Sequence, residues 1–233
     1  MGIECPFIRE GDDLDEIITE SVLSATDEGC ENEHDEWAYD IDDKDVIGIT
    51  ESVIARAAGL YVTVDNIAAD IIKKFGRNAT IVVANPIYSR NRFAIILKGI
   101  ARAAKKIILY MPEYDEVGNP SGVNPFTGVN IKEYYKTIIE SEKCECIIHE
   151  FEIGEAANTM YQDLYPVIYC GLHDYNMWKI DSGFITLREI CNDVNPDFGL
   201  LGINKVTEER LKLFPTKEEA ERVCYGVKNL IKE

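Results

Sequence analysis

The stretch from Thr80 to Met111, TIVVANPIYSRNRFAIILKGIARAAKKIILYM, constrains the fold of this chain more than any other. Thr80–Ala84 is a short β-branched, apolar run of the kind that forms a buried strand. Asn85-Pro86 breaks it, because proline lacks a backbone donor and restricts the residue before it. From Phe93 the period changes to that of a helix, with Phe93, Ile96, Leu97, Ile100 and Ala104 on one face. Ile107–Met111 reads as a second buried strand. A strand–helix–strand unit of this length is most simply a crossover between parallel strands of one sheet.

Charge sets the same stretch apart. The chain carries a formal net charge of −18, yet from Ile71 to Pro112 it has no Asp or Glu and nine Lys or Arg. A basic island in an acidic protein implies a local anion site or an internal electrostatic partner. The net charge itself argues against nucleic acid, whose phosphates need a basic footprint. Ser89-Arg90-Asn91-Arg92 stands just before the helix, where free N–H groups and the positive dipole end favour phosphate or carboxylate. Lys98 to Lys106 read as a solvated helix face. A third reading sets the island against the N-terminal segment, where residues 1–45 hold 17 Asp or Glu against Arg9 and Lys44.

Around this unit the pattern is mixed. Asp13 caps a helix with Leu14, Ile17, Ile18, Val22 and Ala25 on its apolar face, and Glu16 is placed to close a capping box. Residues 26–45 are dense in acid and without period, an acidic loop or insertion. Asp45–Ile49 reads as a strand, followed by a helix opened by Thr50 and closed by Gly59. A further helix runs from Asp65 to Gly76. Residues 112–130 form a long loop carrying Asp115 and Glu116, and such loops are often functional. Ile131–Ser141 reads as a helix, and Glu145–Phe151 and Pro166–Leu172 as strands, the last followed by His173 and Asp174. Thr207 is expected to cap a helix containing Leu211 and Phe214. Thr216 with Glu219 forms the capping box of a last helix with Ala220, Val223, Cys224, Val227, Leu230 and Ile231 on its face. Together these predict one α+β domain over 1–233, a mixed α/β sheet with crossover helices.

The seven cysteines are scattered, and Cys144 and Cys146 are the only close pair, so free thiols are expected. The apolar runs are far shorter than a membrane span, and the first residues lack a signal-peptide pattern. A cytoplasmic protein with no membrane partner is the expectation.

Several stretches carry a resemblance. GDDLDEIITESVL, DVIGITESVIARAAG and TIVVANPIYSRN stand in the order found in the coenzyme F420-0:L-glutamate ligase (F420 γ-glutamyl ligase) family. NPIYSRNRFAIILKGIARAAKKIIL, NPFTGVNIKEYY and NPDFGLLGINKVTEERLKLFP look like a ligase-like branch of it, over most of the chain. The resemblance implies an F420 glutamyl ligase-like α/β fold and a homodimer. It implies GTP-driven activation of a carboxylate as an acyl phosphate, attack by the amine of L-glutamate, and Mg²⁺ or Mn²⁺ on the phosphates. Arg56 stands where such ligases carry a lysine near the nucleotide, and Thr50 and Gly59 match. Asn85-Pro86-Ile87-Tyr88-Ser89 stands where they carry a segment ending in a metal-binding aspartate. Asp174 is displaced from the place of a second metal aspartate. The implied sites are therefore Thr50, Arg56, Asn85, Ser89, Arg90, Asn91 and Arg92 for nucleotide or anion. Asp115, Glu116, His173 and Asp174 are the candidates for metal. The other reading is a non-catalytic relative that binds a small-molecule anionic ligand, phosphorylated or carboxylated.

Overall fold

The computed structural model describes residues 2–26, 41–84, 91–113, 122–123, 127–151, 164–170 and 183–232. By its internal contacts the chain divides into Met1–Tyr61 with Lys212–Glu233, and Val62–Leu211.

The larger unit is built on the crossover. Strand β2 (Thr80–Ala84), helix α4 (Asn91–Ala103) and strand β3 (Lys106–Pro112) follow one another, and β2 pairs parallel with β3 from Thr80↔Lys106 to Ala84↔Tyr110. Helix α5 (Ile131–Ser141) carries the chain to β4 (Glu145–Phe151), parallel to β3. Strand β5 (Val167–Tyr169) returns to the free edge of β2, and β6 (Phe184–Thr186) lies outside it. The order is β4-β3-β2-β5-β6, every described pairing being parallel.

Strands buried on both faces read as unbroken apolar runs, which is why TIVVA and KIILYMP lack strict alternation. Val82, Ala84, Ile108, Tyr110, Val167 and Tyr169 cluster on one face, with Phe151, Tyr165 and Phe184 against them. Ile81, Val83, Ile107 and Leu109 point the other way and are fully buried. In α4 the predicted stripe Phe93, Ile96, Leu97 and Ile100 is buried, and Phe93 packs on Tyr135 of α5 with centroids 5.3 Å apart. Helix α3 (Val64–Phe75) opens with a capping box between Thr63 and Asn66 and packs on α4. Gly99 permits that packing: a Cβ there would come within 2.6 Å of the Ile67 Cβ.

The smaller unit gathers α1 (Leu14–Leu23), α2 (Glu51–Ala57) and α6 (Lys217–Lys232). Their core is Ile8, Leu14, Ile18, Val22, Ile54, Val223 and Val227. Asp13 caps α1 by accepting from the Glu16 N–H, and Thr216 and Glu219 form the expected box at α6. On α6, Cys224 and Leu230 are exposed rather than part of the buried face. A second sheet has the order β1-β8-β7, from Tyr61–Thr63, Arg210–Leu213 and Ile203–Thr207. Among the described residues no helix is long and apolar enough to cross a membrane.

Two expectations are corrected. Residues 45–49 are irregular and mostly exposed, Val46 to 92%, because no described strand offers them a ladder and an unpaired strand leaves its backbone groups to water. The helix expected after Thr207 is instead the hairpin β7–β8. The Thr207 Oγ accepts from the Glu209 N–H, two residues on, at 3.2 Å. That closes a turn rather than capping a helix.

The basic face of α4 is corrected too. It is paired, not simply solvated. Arg102 grips Glu142 with two hydrogen bonds of 2.9 and 3.0 Å and donates to Asp65 at 2.8 Å. Lys98 pairs with Glu209, Lys74 with Asp70, and Lys106 with Glu145 at 2.9 Å. Lys98 and Arg102 hold the Glu209 carboxyl below its ordinary 4.5. Arg102→Ala is expected to cost about 1–2 kcal/mol, since the bidentate pair is only partly exposed. A lowered acid adds stability above its unfolded pKa and loses it as pH falls through the folded value. The gap between wild type and variant should therefore narrow in acid and in high salt when Tm is followed by circular dichroism.

Candidate functional site

The strand order gives the larger unit a switch point. From β2 the chain moves outward through β3 and β4, then returns to the other side of β2 for β5 and β6. In open parallel sheets, ligands bind outside the carboxyl ends of the strands where the order reverses. Here that is the end of β2 and β5, where Ala84 is in register with Tyr169 on one side and Tyr110 on the other. Adjacent strands lie about 4.8 Å apart, so the ends of β3, β2 and β5 fall within roughly 10 Å.

The candidate segments all start from those three ends. Residues 85–90 continue from β2 into α4, 114–121 follow β3, and 171–182 follow β5. Asn85, Ser89, Arg90, Asp115, Glu116, His173 and Asp174 themselves lie outside the described residues. Asn91 is the first residue of α4, whose first turn carries no acid. Arg92 is half-buried and donates from its guanidinium to the Ile203 carbonyl at 3.1 Å, so the entry of α4 is tied to the start of β7. Lys98, Arg102, Lys74 and Lys106 are paired with carboxylates, and Arg92 is the described cation of residues 89–92.

Thr50 and Arg56 sit at opposite ends of α2, six residues or about 9 Å apart along the axis. The helix does not bring them together. Thr50 is the N-cap residue, with no side-chain cap bond, and borders an apolar cavity of about 670 Å³ lined by Ile3, Ile18, Val22, Ile49 and Val53. That volume is in the range of small-molecule pockets. The Arg56 guanidinium lies over the Phe7 ring, 5.1 Å from its centroid.

Lys212 was not singled out by sequence. It is only 5% exposed, on β8, and its ammonium donates to the Ser52 carbonyl at 2.9 Å and to the Ser52 hydroxyl. Among the described residues no carboxylate pairs with it. Burial first, then Arg56, holds its pKa below the ordinary lysine value, against the pull of Glu51. The only sequence signal was a lysine between Leu211 and Leu213, masked by the expectation of a helix.

The described cysteines are all free. Burial pushes Cys144 to about 11, and Cys146 and Cys191 to about 12, so they are inert thiols. Among the described residues no three His, Cys, Asp or Glu side chains cluster as a metal site.

The family model described as F420-0:Gamma-glutamyl ligase matches residues 2–233. The chain belongs to this ligase family. No curated protein matches it. Membership over the whole length gives the chain an F420-0:γ-glutamyl ligase-like function, and both units fall within the matched length.

Proposed function

We propose that this F420 ligase family member joins L-glutamate to a carboxylate acceptor in an amide bond, using GTP and Mg²⁺ or Mn²⁺, as a cytoplasmic homodimer. The match over residues 2–233 carries the reading. The switch point of the parallel sheet supports it, since the start of a helix after a strand end there suits a phosphate.

The residues proposed to receive phosphate or carboxylate are Thr50, Arg56, Asn85, Ser89, Arg90, Asn91 and Arg92. Their task is electrostatic: to hold the anionic groups in place and offset the charge that develops as the acyl phosphate forms and is attacked. The metal-binding role falls to Asp115, Glu116, His173 and Asp174. The donor chemistry fits, because carboxylates with one imidazole suit Mg²⁺ or Mn²⁺, and their segments follow strands on either side of β2. When bound, the ion would neutralise phosphate charge.

The purified protein with GTP, Mn²⁺, L-glutamate and a phosphorylated flavin-like acid acceptor should release GDP in step with amide. Absence of turnover, together with no protection by GTP against heat, would overturn this reading. One observation favours the second reading, a non-catalytic relative holding a small phosphorylated or carboxylated ligand: Ser89 stands where the resemblance expects a metal aspartate. In that case Arg90→Ala abolishes ligand binding, and chelation leaves it intact.

A further inference from the structure

Asp45–Ile49, DVIGI, has the composition of a strand and forms none. Both of its ends are nonetheless fixed. At the start is a turn: the Asp45 N–H donates to the Asp42 carbonyl at 3.1 Å, and the Asp45 carboxylate accepts from the Asp42 N–H at 3.0 Å. At the end is Thr50, the extended N-cap residue of α2. Ile49 packs on the core of the smaller unit, as Ile41 and Val53 do. Between these anchors Val46 is 92% exposed and Ile47 39%. The same residues border the apolar cavity of about 670 Å³ next to Thr50.

An anchored apolar run standing in water is costly in two ways. Its side chains leave apolar surface uncovered, at about 25 cal/mol per Å², and adjoining exposed apolar residues mark an interaction site. Its backbone groups enter no ladder among the described residues, which makes the run a template for another strand. The flanks narrow what can cover it. Asp42, Asp43 and Asp45 stand against Lys44, so an anionic lipid surface is repelled. A second copy fits, because the run is both template and strand. Laid antiparallel with full overlap, two DVIGI segments cross at Ile47. Asp45 then faces the partner's Ile49, Val46 faces the partner's Gly48, and Ile47 faces itself. No acid meets an acid, whereas parallel pairing in register would set Asp45 on Asp45.

We infer that residues 45–49 are a dimerisation strand, which pairs antiparallel with the same residues of a second copy about a two-fold axis through Ile47 and gains its ladder in doing so. The inference rests on the homodimer of the functional reading and names its contact. A five-residue ribbon is small beside the roughly 1,600 Å² of a standard interface. Apolar residues around the cavity, such as Ile3, are therefore expected to be covered with it.

The test is sedimentation equilibrium of the full chain over a range of concentrations. The wild type should be dimeric. Ile47→Asp sets two acids face to face across the axis and Ile47→Lys two ammonium groups, so each variant alone should be monomeric. An equimolar mixture of the two should recover the dimer, because Asp then faces Lys. A side chain that only supports the fold of one copy would not respond to mixing. Val46→Asp, at a position too exposed to affect the folding of one copy, should weaken the dimer at least tenfold and serves if the Ile47 variants do not fold. Leu230→Asp adds the same charge at an exposed leucine of α6 and should leave the dimer unchanged. Amide exchange at 46–49 should slow as the wild type is concentrated and stay fast in Ile47→Asp.

The inference is overturned if the Ile47 and Val46 variants dimerise as the wild type does, and the homodimer then stands on another contact. It is overturned if the mixture stays monomeric, or if Leu230→Asp dissociates the dimer equally. A wild type that is monomeric at every concentration removes both the contact and the homodimer, and leaves amide synthesis to be judged by its own assay. A dimer that the variants break, from a protein that makes no amide, would sink the ligase reading and leave the contact standing.

Discussion

Replacing Gly199 with alanine is expected to destabilise the larger unit by about 2–5 kcal/mol, from left-handed strain and overpacking together. Gly199 has φ +50°, a region that alanine enters only with strain. An added Cβ would come within 2.6 Å of the Arg188 carbonyl carbon and 2.7 Å of the Ile190 oxygen. Both are backbone, so no rotamer change relieves the overlap. The turn cannot simply shift, because the Gly199 N–H is bound to the Asn195 carbonyl and the fully buried Asn195 side chain accepts from the Asp197 and Phe198 N–H groups. The segment ends at Ile203, whose carbonyl receives Arg92. Loosening it should therefore free Arg92 at the entry of α4. A drop in Tm of roughly 10 °C is expected for a chain of this size. Gly199→Ser, with the same Cβ, should match it, and a wild-type Tm in either variant would show that the backbone yields.

The crossover was legible because its signals agree. β-branched runs, a proline break and a helical stripe all point one way over Thr80–Met111, and the strands and the buried face of α4 form as read. The capping box at Thr216 marks a helix start for the same local reason, whereas the caps at Thr63 and Asn130 were not read from the sequence. Short elements were not legible. Strands β1 and β6 have three residues each and owe their form to neighbours distant in sequence. The region after Thr207 failed because Thr-x-x-Arg fits both a helix start and a tight turn, and pairing with β1 decides it.

The charge of the basic island was legible, but its partners were not. A basic island does imply something negative nearby, but for four of its members the negative groups are the unit's own: Asp70, one helical turn from Lys74, and Glu142, Glu145 and Glu209 from distant parts of the chain. Sequence distance hid the last three, just as it hid Lys212 from Ser52, 160 positions away. What sequence did convey is that the candidate segments each follow a strand. That the ends of those strands lie side by side depends on strand order, which becomes visible only when β5 is seen to pair with β2 instead of β4.

Asp70→Ala should cost about 3 kcal/mol, whereas Asp70→Asn should cost about 1 kcal/mol. Asp70 is a nearly buried carboxylate on α3 with two partners: the Lys74 ammonium and the Cys191 N–H, the latter at 2.8 Å. Cys191 has φ +56°, unusual for a residue with a Cβ, and its carbonyl accepts from the N–H groups of Val194 and Asn195. The carboxylate thus fixes one end of the segment that Arg92 fixes at the other. Alanine strands a buried N–H and removes the charge beside Lys74. Asparagine keeps an oxygen for that N–H and loses only the ion pair, a partly exposed one of modest worth. Urea denaturation should rank wild type above Asn above Ala, with amide exchange at Cys191 accelerated strongly in the Ala variant alone. Equal loss in both variants would mean that the charge of Asp70, and not its bond to Cys191, holds the segment in place.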